Sequence, residues 1–247
     1  MSRASPRTIA VASGKGGVGK TWCAITIAHA LAREGKRVLL FDGDLGLANV
    51  DVQLGLMPDV DLGAVLVRGS PLVDAIIPVD EGGFEVIPGR SGSGDLSSLA
   101  PDALERLLAD LRDAGARHDH ILLDLGAGIG RPVRRMAAWA DAVFVLATDE
   151  PTSLTDAYAT LKLYAADRPD GDARLIVNQA ASRAAGERTA DILTRACDNF
   201  LGRAPSLAGV IRKDPRVPEA IRRQALLLTR HPTSPAAADL ERIAANL

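Results

Sequence analysis

Eight consecutive residues, Gly14-Lys15-Gly16-Gly17-Val18-Gly19-Lys20-Thr21, have the composition of a phosphate cradle. They fit the P-loop spacing G-x-x-x-x-G-K-[ST], with Gly14, Gly19, Lys20 and Thr21 at its fixed places. Glycines let a backbone curl until successive N–H groups converge on an anion. A helix starting behind the loop adds its positive end. Lys20 then reaches the β- and γ-phosphates, and the Thr21 hydroxyl holds Mg²⁺. Carboxylates complete the set. Asp42 and Asp44 follow a short apolar run, one suited to orient Mg²⁺ and its waters, the other the attacking water. Asp124 closes Ile121-Leu122-Leu123 in the Walker B pattern and would hold Mg²⁺ through its water shell. The glycine-rich Leu125-Gly126-Ala127-Gly128 behind it is suited to sense a γ-phosphate. Acid-tipped strands and glycine turns are ordinary loop features by themselves; beside four matched P-loop positions they become one site.

These residues need a strand in front of the loop and a helix behind it. Ile9–Ala12 is short and apolar, as a buried parallel strand is. Ile25, Ala28, Leu31 and Ala32 recur at helical spacing, and Gly35 ends that helix. Strand and helix patterns alternate over the rest of the chain. The strands expected are Ile9–Ala12, Val38–Phe41, Phe84–Ile87, Ile121–Asp124, Ala142–Ala147, Leu175–Val177 and Ala208–Ile211. The helices expected are Lys20–Glu34, Pro101–Ala114, Pro132–Ala138, Ser153–Ala166, Ala190–Leu201 and one near Pro235–Ala245. Asp59–Asp80 reads as two short helical pieces around Pro71, and Pro88–Leu99 as a loop. The pattern predicts a single α/β domain over 1–247, a doubly wound, mostly parallel sheet flanked by helices.

Bulk properties remove other classes. A net charge of −2 carries no global nucleic-acid signature, and 3% aromatic residues leave little for base stacking. Cys23 and Cys197 are far apart, which reads as reduced thiols of a cytoplasmic protein rather than a disulfide frame or metal site. No apolar run approaches the roughly 20 residues of a membrane span. Met1–Arg7 lacks the apolar core of a signal peptide. The four histidines show no ligand spacing, so no metal beyond Mg²⁺ is indicated.

Lys15 is an extra lysine that a P-loop does not require, and with it the octet resembles the deviant Walker A signature of the ParA/MinD ATPases. Asp42-x-Asp44 and Asp124-x-x-Ala127 are similar to their two switch segments. Asp44–Asp51, Asp149–Tyr158, Phe200-Leu201-Gly202, Gly209-Val210-Ile211 and Asp214-Pro215 resemble the FlhG/FleN branch, MinD-like ATPases that set flagellar number and position. The likeness spans about residues 8–245. It implies an ATP- and Mg²⁺-dependent homodimer with slow, switch-like hydrolysis, in which Lys15 crosses to the partner's phosphates as an arginine finger does. It assigns catalysis to Lys15, Lys20 and Asp44, and the metal to Thr21, Asp42 and Asp124. It assigns the nucleotide to Gly14 through Trp22, with Asn178 contacting adenine and Arg212 and Asp214 nearby. Trp22 stands where small or polar residues are usual, so packing or a dimer contact are its other uses. The resemblance also implies a protein partner, whether a flagellar GTPase, a transcription regulator or a C-ring component, and recruitment to the membrane or cell pole.

The first seven residues lack the Asp-Gln-Ala activating segment of that branch, and 238–245 reads as a packing helix, so any membrane contact is expected to be weak or indirect. Between Arg212 and Arg230 six basic residues face two acidic ones. They are either a solvated face or the DNA-holding surface of a ParA-type partition ATPase, the rival reading. An iron–sulfur carrier of the same superfamily would need cysteines near the second switch, where this chain has none.

Overall fold

The computed structural model describes residues 5–89 and 99–247. Most of the expected loop 88–99 therefore lies outside the described residues. Among the described residues eight strands form one sheet in the order β3-β4-β2-β5-β1-β6-β7-β8. They are β1 (Arg7–Ser13), β2 (Val38–Gly43), β3 (Ile77–Val79), β4 (Phe84–Ile87), β5 (His120–Ala127), β6 (Ala142–Ala147), β7 (Asp172–Ala180) and β8 (Ser206–Arg212). Only the β3–β4 pair is antiparallel; every other neighbour is parallel. β1 is central, so its C-terminal end opens between β5 and β6 at the middle of the sheet.

Both faces are covered, which is why the inner strands read as continuous apolar runs. On one face α1 (Lys20–Arg33), α9 (Leu227–Arg230) and α10 (Pro235–Ala244) pack on Ile9, Val11, Leu40, Leu122, Phe144 and Ile176. On the other face α4 (Pro101–Ala114), α5 (Arg131–Trp139), α6 (Pro151–Asp167) and α7 (Arg183–Leu201) pack on Ala10, Leu39, Phe41, Leu123, Val145 and Val177. Alternate residues of one strand thus serve two cores. The short α2 (Val50–Leu54), α3 (Leu62–Arg68) and α8 (Arg216–Arg222) lie in the connections.

Local chemistry starts the helices. Pro101, Pro151 and Pro235 are each the first residue of their helix, where a missing N–H costs nothing. Ser182 caps α7 by accepting from Ala185 N, and Ser234 caps α10 by accepting from Ala237 N. The Ser182 cap makes α7 start seven residues before the expected Ala190. Asp59–Asp80 holds α3 and a 3₁₀ turn at Leu72–Ala75, followed by the edge strand β3. Three residues are too few to show an alternating pattern, so β3 follows from pairing with β4 rather than from its own sequence. The packing helix expected near the end is α10, whose Ala236, Ala237, Leu240, Ile243 and Ala244 are buried. Among the described residues no helix is long and apolar enough to cross a membrane.

Candidate functional site

The loop from Gly14 to Gly19 leaves the tip of β1 and enters α1. Gly17 and Gly19 hold φ of 78° and 94°, which only glycine adopts without strain. A Cβ on Gly14 would run into the backbone of Asp156 in α6, so the loop is braced against that helix. Ser13 Oγ donates to the Lys15 carbonyl at 2.6 Å and accepts from Lys20 Nζ at 3.0 Å. Lys20 is 9% exposed; burial lowers its pKa, and the charges of Asp124 and Asp44 act against that shift. Lys15 points elsewhere: its Nζ pairs with Glu150 Oε2 at 2.5 Å and donates to Thr152 Oγ1 at 3.1 Å, both exposed.

The three acids come from adjacent strand ends. Parallel register sets Asp42 of β2 beside Asp124 of β5, and Asp124 beside Val11 of β1. Burial pushes the Asp124 carboxyl up to about 8; the Asp42 charge adds to this, while the Thr21 hydroxyl and Lys20 oppose it. Its Oδ1 is buried and has no hydrogen-bond partner among the described residues. A buried carboxylate oxygen left open beside a hydroxyl and a second carboxylate is the donor set a hard divalent cation takes. Burial also raises Asp42, to about 6, against three backbone N–H groups. Its Oδ2 accepts from Asn49 N and Val50 N at 3.0 Å each, and its Oδ1 from Asp44 N at 3.2 Å. Asp42 therefore anchors the segment leading into α2 as well as facing Asp124. Asp44 accepts from Leu47 N at 3.0 Å, and its Oδ1 lies 3.2 Å from where a Gly126 Cβ would stand, so the two switch-like segments touch. Gly128 N donates to Ser13 O at 2.9 Å, tying the second segment to β1.

The remaining candidates have other partners. Asn178, 4% exposed at the end of β7, contacts the loop itself by donating to Val18 O at 2.7 Å. The Arg212 guanidinium is committed to α10: Nε donates to Asp239 Oδ2 at 2.8 Å, and a terminal nitrogen to Oδ1 at 3.0 Å. Asp214 accepts from Arg216 N and Ala236 N, so its carboxylate ties the starts of α8 and α10 together. Trp22 is 6% exposed and packs in the core under α1. Ser13, Glu150 and Thr152 are site residues that motif spacing does not reach. The hydroxyl at the end of β1 is the sequence signal for Ser13, and Glu150 and Thr152 lie in the Asp149–Tyr158 segment that resembles the FlhG/FleN branch, which by itself gives them no role. Cys23 is fully buried and its thiol is pushed far up by burial, which leaves it unreactive.

Comparison with known proteins follows the same outline. The family model for the CobQ/CobB/MinD/ParA nucleotide binding domain matches residues 9–227. The antiactivator FleN of Pseudomonas aeruginosa is 38% identical over 238 residues, 96% of this chain and 85% of its own length. The flagellum site-determining protein YlxH of Helicobacter pylori is 33% identical, covering 80% of this chain and 66% of its own. The septum site-determining protein MinD of Pyrococcus horikoshii, solved with Mg-ADP, superposes with a TM-score of 0.82 at 24% identity, over 98% of this chain and 95% of its own. That last likeness is one of fold. With a matched domain over most of its length and a mostly parallel sheet presenting the loop, the chain belongs to the CobQ/CobB/MinD/ParA nucleotide-binding family, close to FleN.

Proposed function

We propose that this chain is an ATP-dependent dimerisation switch that regulates the number or placement of flagella. The observation that carries the reading is Lys15. It sits in the phosphate loop, yet it points away from the buried Lys20 and onto an exposed acid. A second cation held at the rim serves a neighbouring molecule better than its own loop. The likeness to FleN along nearly the whole chain supplies the flagellar context.

Within this reading Lys20 and the loop amides bind the β- and γ-phosphates of ATP. Thr21, Asp124 and Asp42 would hold Mg²⁺, partly through water, and the bound cation would supply positive charge against the phosphates. Asp44 orients the attacking water from a segment already in touch with Gly126. Lys15 leaves Glu150 and offers its charge to the γ-phosphate of the partner copy. The dimer then engages a protein partner, and hydrolysis releases it. The protein works in the cytoplasm and reaches the membrane or pole through that partner.

Sedimentation velocity with Mg²⁺ and ATP tests the core of this. The parent and Asp44→Ala should sediment as dimers with ATP, Asp44→Ala the more persistently. An Asp44→Ala chain that stays monomeric refutes the switch. Lys20→Ala should lose nucleotide binding altogether, and intact ATP affinity there refutes the phosphate assignment. Of the six basic residues behind the rival DNA-partition reading, four are engaged within the fold: Arg216, Arg223 and Arg230 gather on Glu219, and Arg212 is paired with Asp239.

A further inference from the structure

Two backbone conformations meet where β7 ends. Gln179 holds a φ of 58°, unusual for a residue with a side chain. The pairing of β7 with β8 slips between Val177 and Ala180 at the same place. The kink turns Asn178 inward, toward the sharpest part of the phosphate loop. Its Nδ2 donates to Val18 O at 2.7 Å, and its Oδ1 accepts from Gln179 N at 2.8 Å. Both ends of the amide are thereby committed, so its orientation is determined and neither an acid nor an apolar side chain can reproduce it. On the loop side, Gly19 stands at a φ of 94°, and a Cβ there would fall 2.6 Å from Asn178 Nδ2. The amide fills the space that the glycine leaves, one residue before Lys20.

We propose that Asn178 is a positioning residue for the phosphate cradle, setting the turn at Val18–Gly19 from which Lys20 and the loop amides act, independently of any contact with the base. The inference rests on the phosphate reading of the loop given above. A primary amide has two N–H groups and two lone pairs, of which the loop and Gln179 use one each. One of each remains for a base, so the two duties are compatible and must be separated by experiment.

Inorganic tripolyphosphate with Mg²⁺ has the phosphates of ATP and no base. Isothermal titration of the parent, Asn178→Ala and Asn178→Asp with ATP and with tripolyphosphate separates the duties. Loss of one buried hydrogen bond corresponds to about tenfold in affinity. The expected result is that, within each variant, ATP and tripolyphosphate weaken by the same factor, about ten in Asn178→Ala and more in Asn178→Asp, whose charge also repels the phosphates, at unchanged stoichiometry. Asn178→Asp keeps the size and the Oδ1 acceptor but sets a charged oxygen against the Val18 carbonyl, and Asn178→Leu, neutral, near in size and without the donor, decides the matter if the alanine variant does not fold. A general loosening would instead lower the binding-competent fraction and the unfolding midpoint of the free chain. Weakened ATP with unchanged tripolyphosphate makes Asn178 a base contact alone and overturns the proposal, as does no change in either ligand. A parent that binds tripolyphosphate no better than Lys20→Ala overturns the phosphate reading and this proposal with it.

Discussion

Asp42 and Asp124 are neighbours across β2 and β5, and their burial pushes the two carboxyls up to about 6 and about 8. A carboxyl that titrates higher in the folded chain than the ordinary 3.8 binds its proton more tightly when folded. Its contribution to stability is therefore present at low pH and declines as pH rises from near 4 through the folded value, flattening above 8. For the chain freed of Mg²⁺ and nucleotide, the unfolding midpoint should fall between pH 5 and pH 8. Asp124→Asn should flatten that fall and raise the midpoint at pH 8 by a few degrees, as read by calorimetry across the pH series. The same ionisation is needed for cation binding, so Mg²⁺ affinity should rise over this range. Asp124 was legible in sequence because an acid at the end of an apolar strand, a hundred residues past a P-loop, has few other uses. The resemblance grouped it with Asp42 but did not show their pairing in direct register across β2 and β5, because register between strands distant in sequence is a property of the sheet.

At the level of elements, single caps and ties decide where helices begin and what they hold. Ser182→Ala removes the α7 cap and should cost about 1 kcal/mol. For a chain of this size that lowers the unfolding midpoint by about 2–4 °C, with nucleotide affinity unchanged. Arg212 joins β8 to α10 through an Asp239 that is 2% exposed. Arg212→Ala leaves that carboxylate with the backbone N–H of residue 212 and Arg242 as partners and should cost about 1–2 kcal/mol, read in urea unfolding. If the folded fraction keeps its ATP affinity, the side chain serves the fold; a fall in affinity without a fall in stability would return Arg212 to the nucleotide. The long, periodic or proline-started elements could be read directly. The five-residue α2, the four-residue α9 and the three-residue β3 could not, since each is too short to complete two of the periods that would reveal it.

For the whole molecule the question is what one chain leaves unfinished. Lys15 is held by Glu150 and Thr152 at the rim, and Asp44 is poised beside Gly126. A site with its second cation turned outward is completed in the dimer of the proposed switch. Lys15→Ala should then keep ATP binding within a few-fold of the parent and lose ATP-dependent dimerisation, by sedimentation velocity at matched concentrations. A Lys15→Ala chain that still dimerises on ATP would confine that lysine to its own loop.

What the amino-acid sequence determined by itself is local and periodic. It specified the phosphate loop, the acids at the strand tips, the alternation of strand and helix, and through Lys15 and the FlhG/FleN-like segments the family. These are legible because phosphate chemistry demands particular residues at fixed spacing, and because buried strands and amphipathic helices repeat within a few residues. Tertiary structure alone decided which side chains share an environment. It put Glu150 on Lys15, Ser13 under Lys20 and Asn178 against Val18, and it tied Arg212 of β8 to α10 and Asp214 to the starts of α8 and α10. Those pairings join residues up to 160 positions apart. They depend on strand order and register, which arise from packing two cores against one sheet and leave no mark on the residues nearby in the chain.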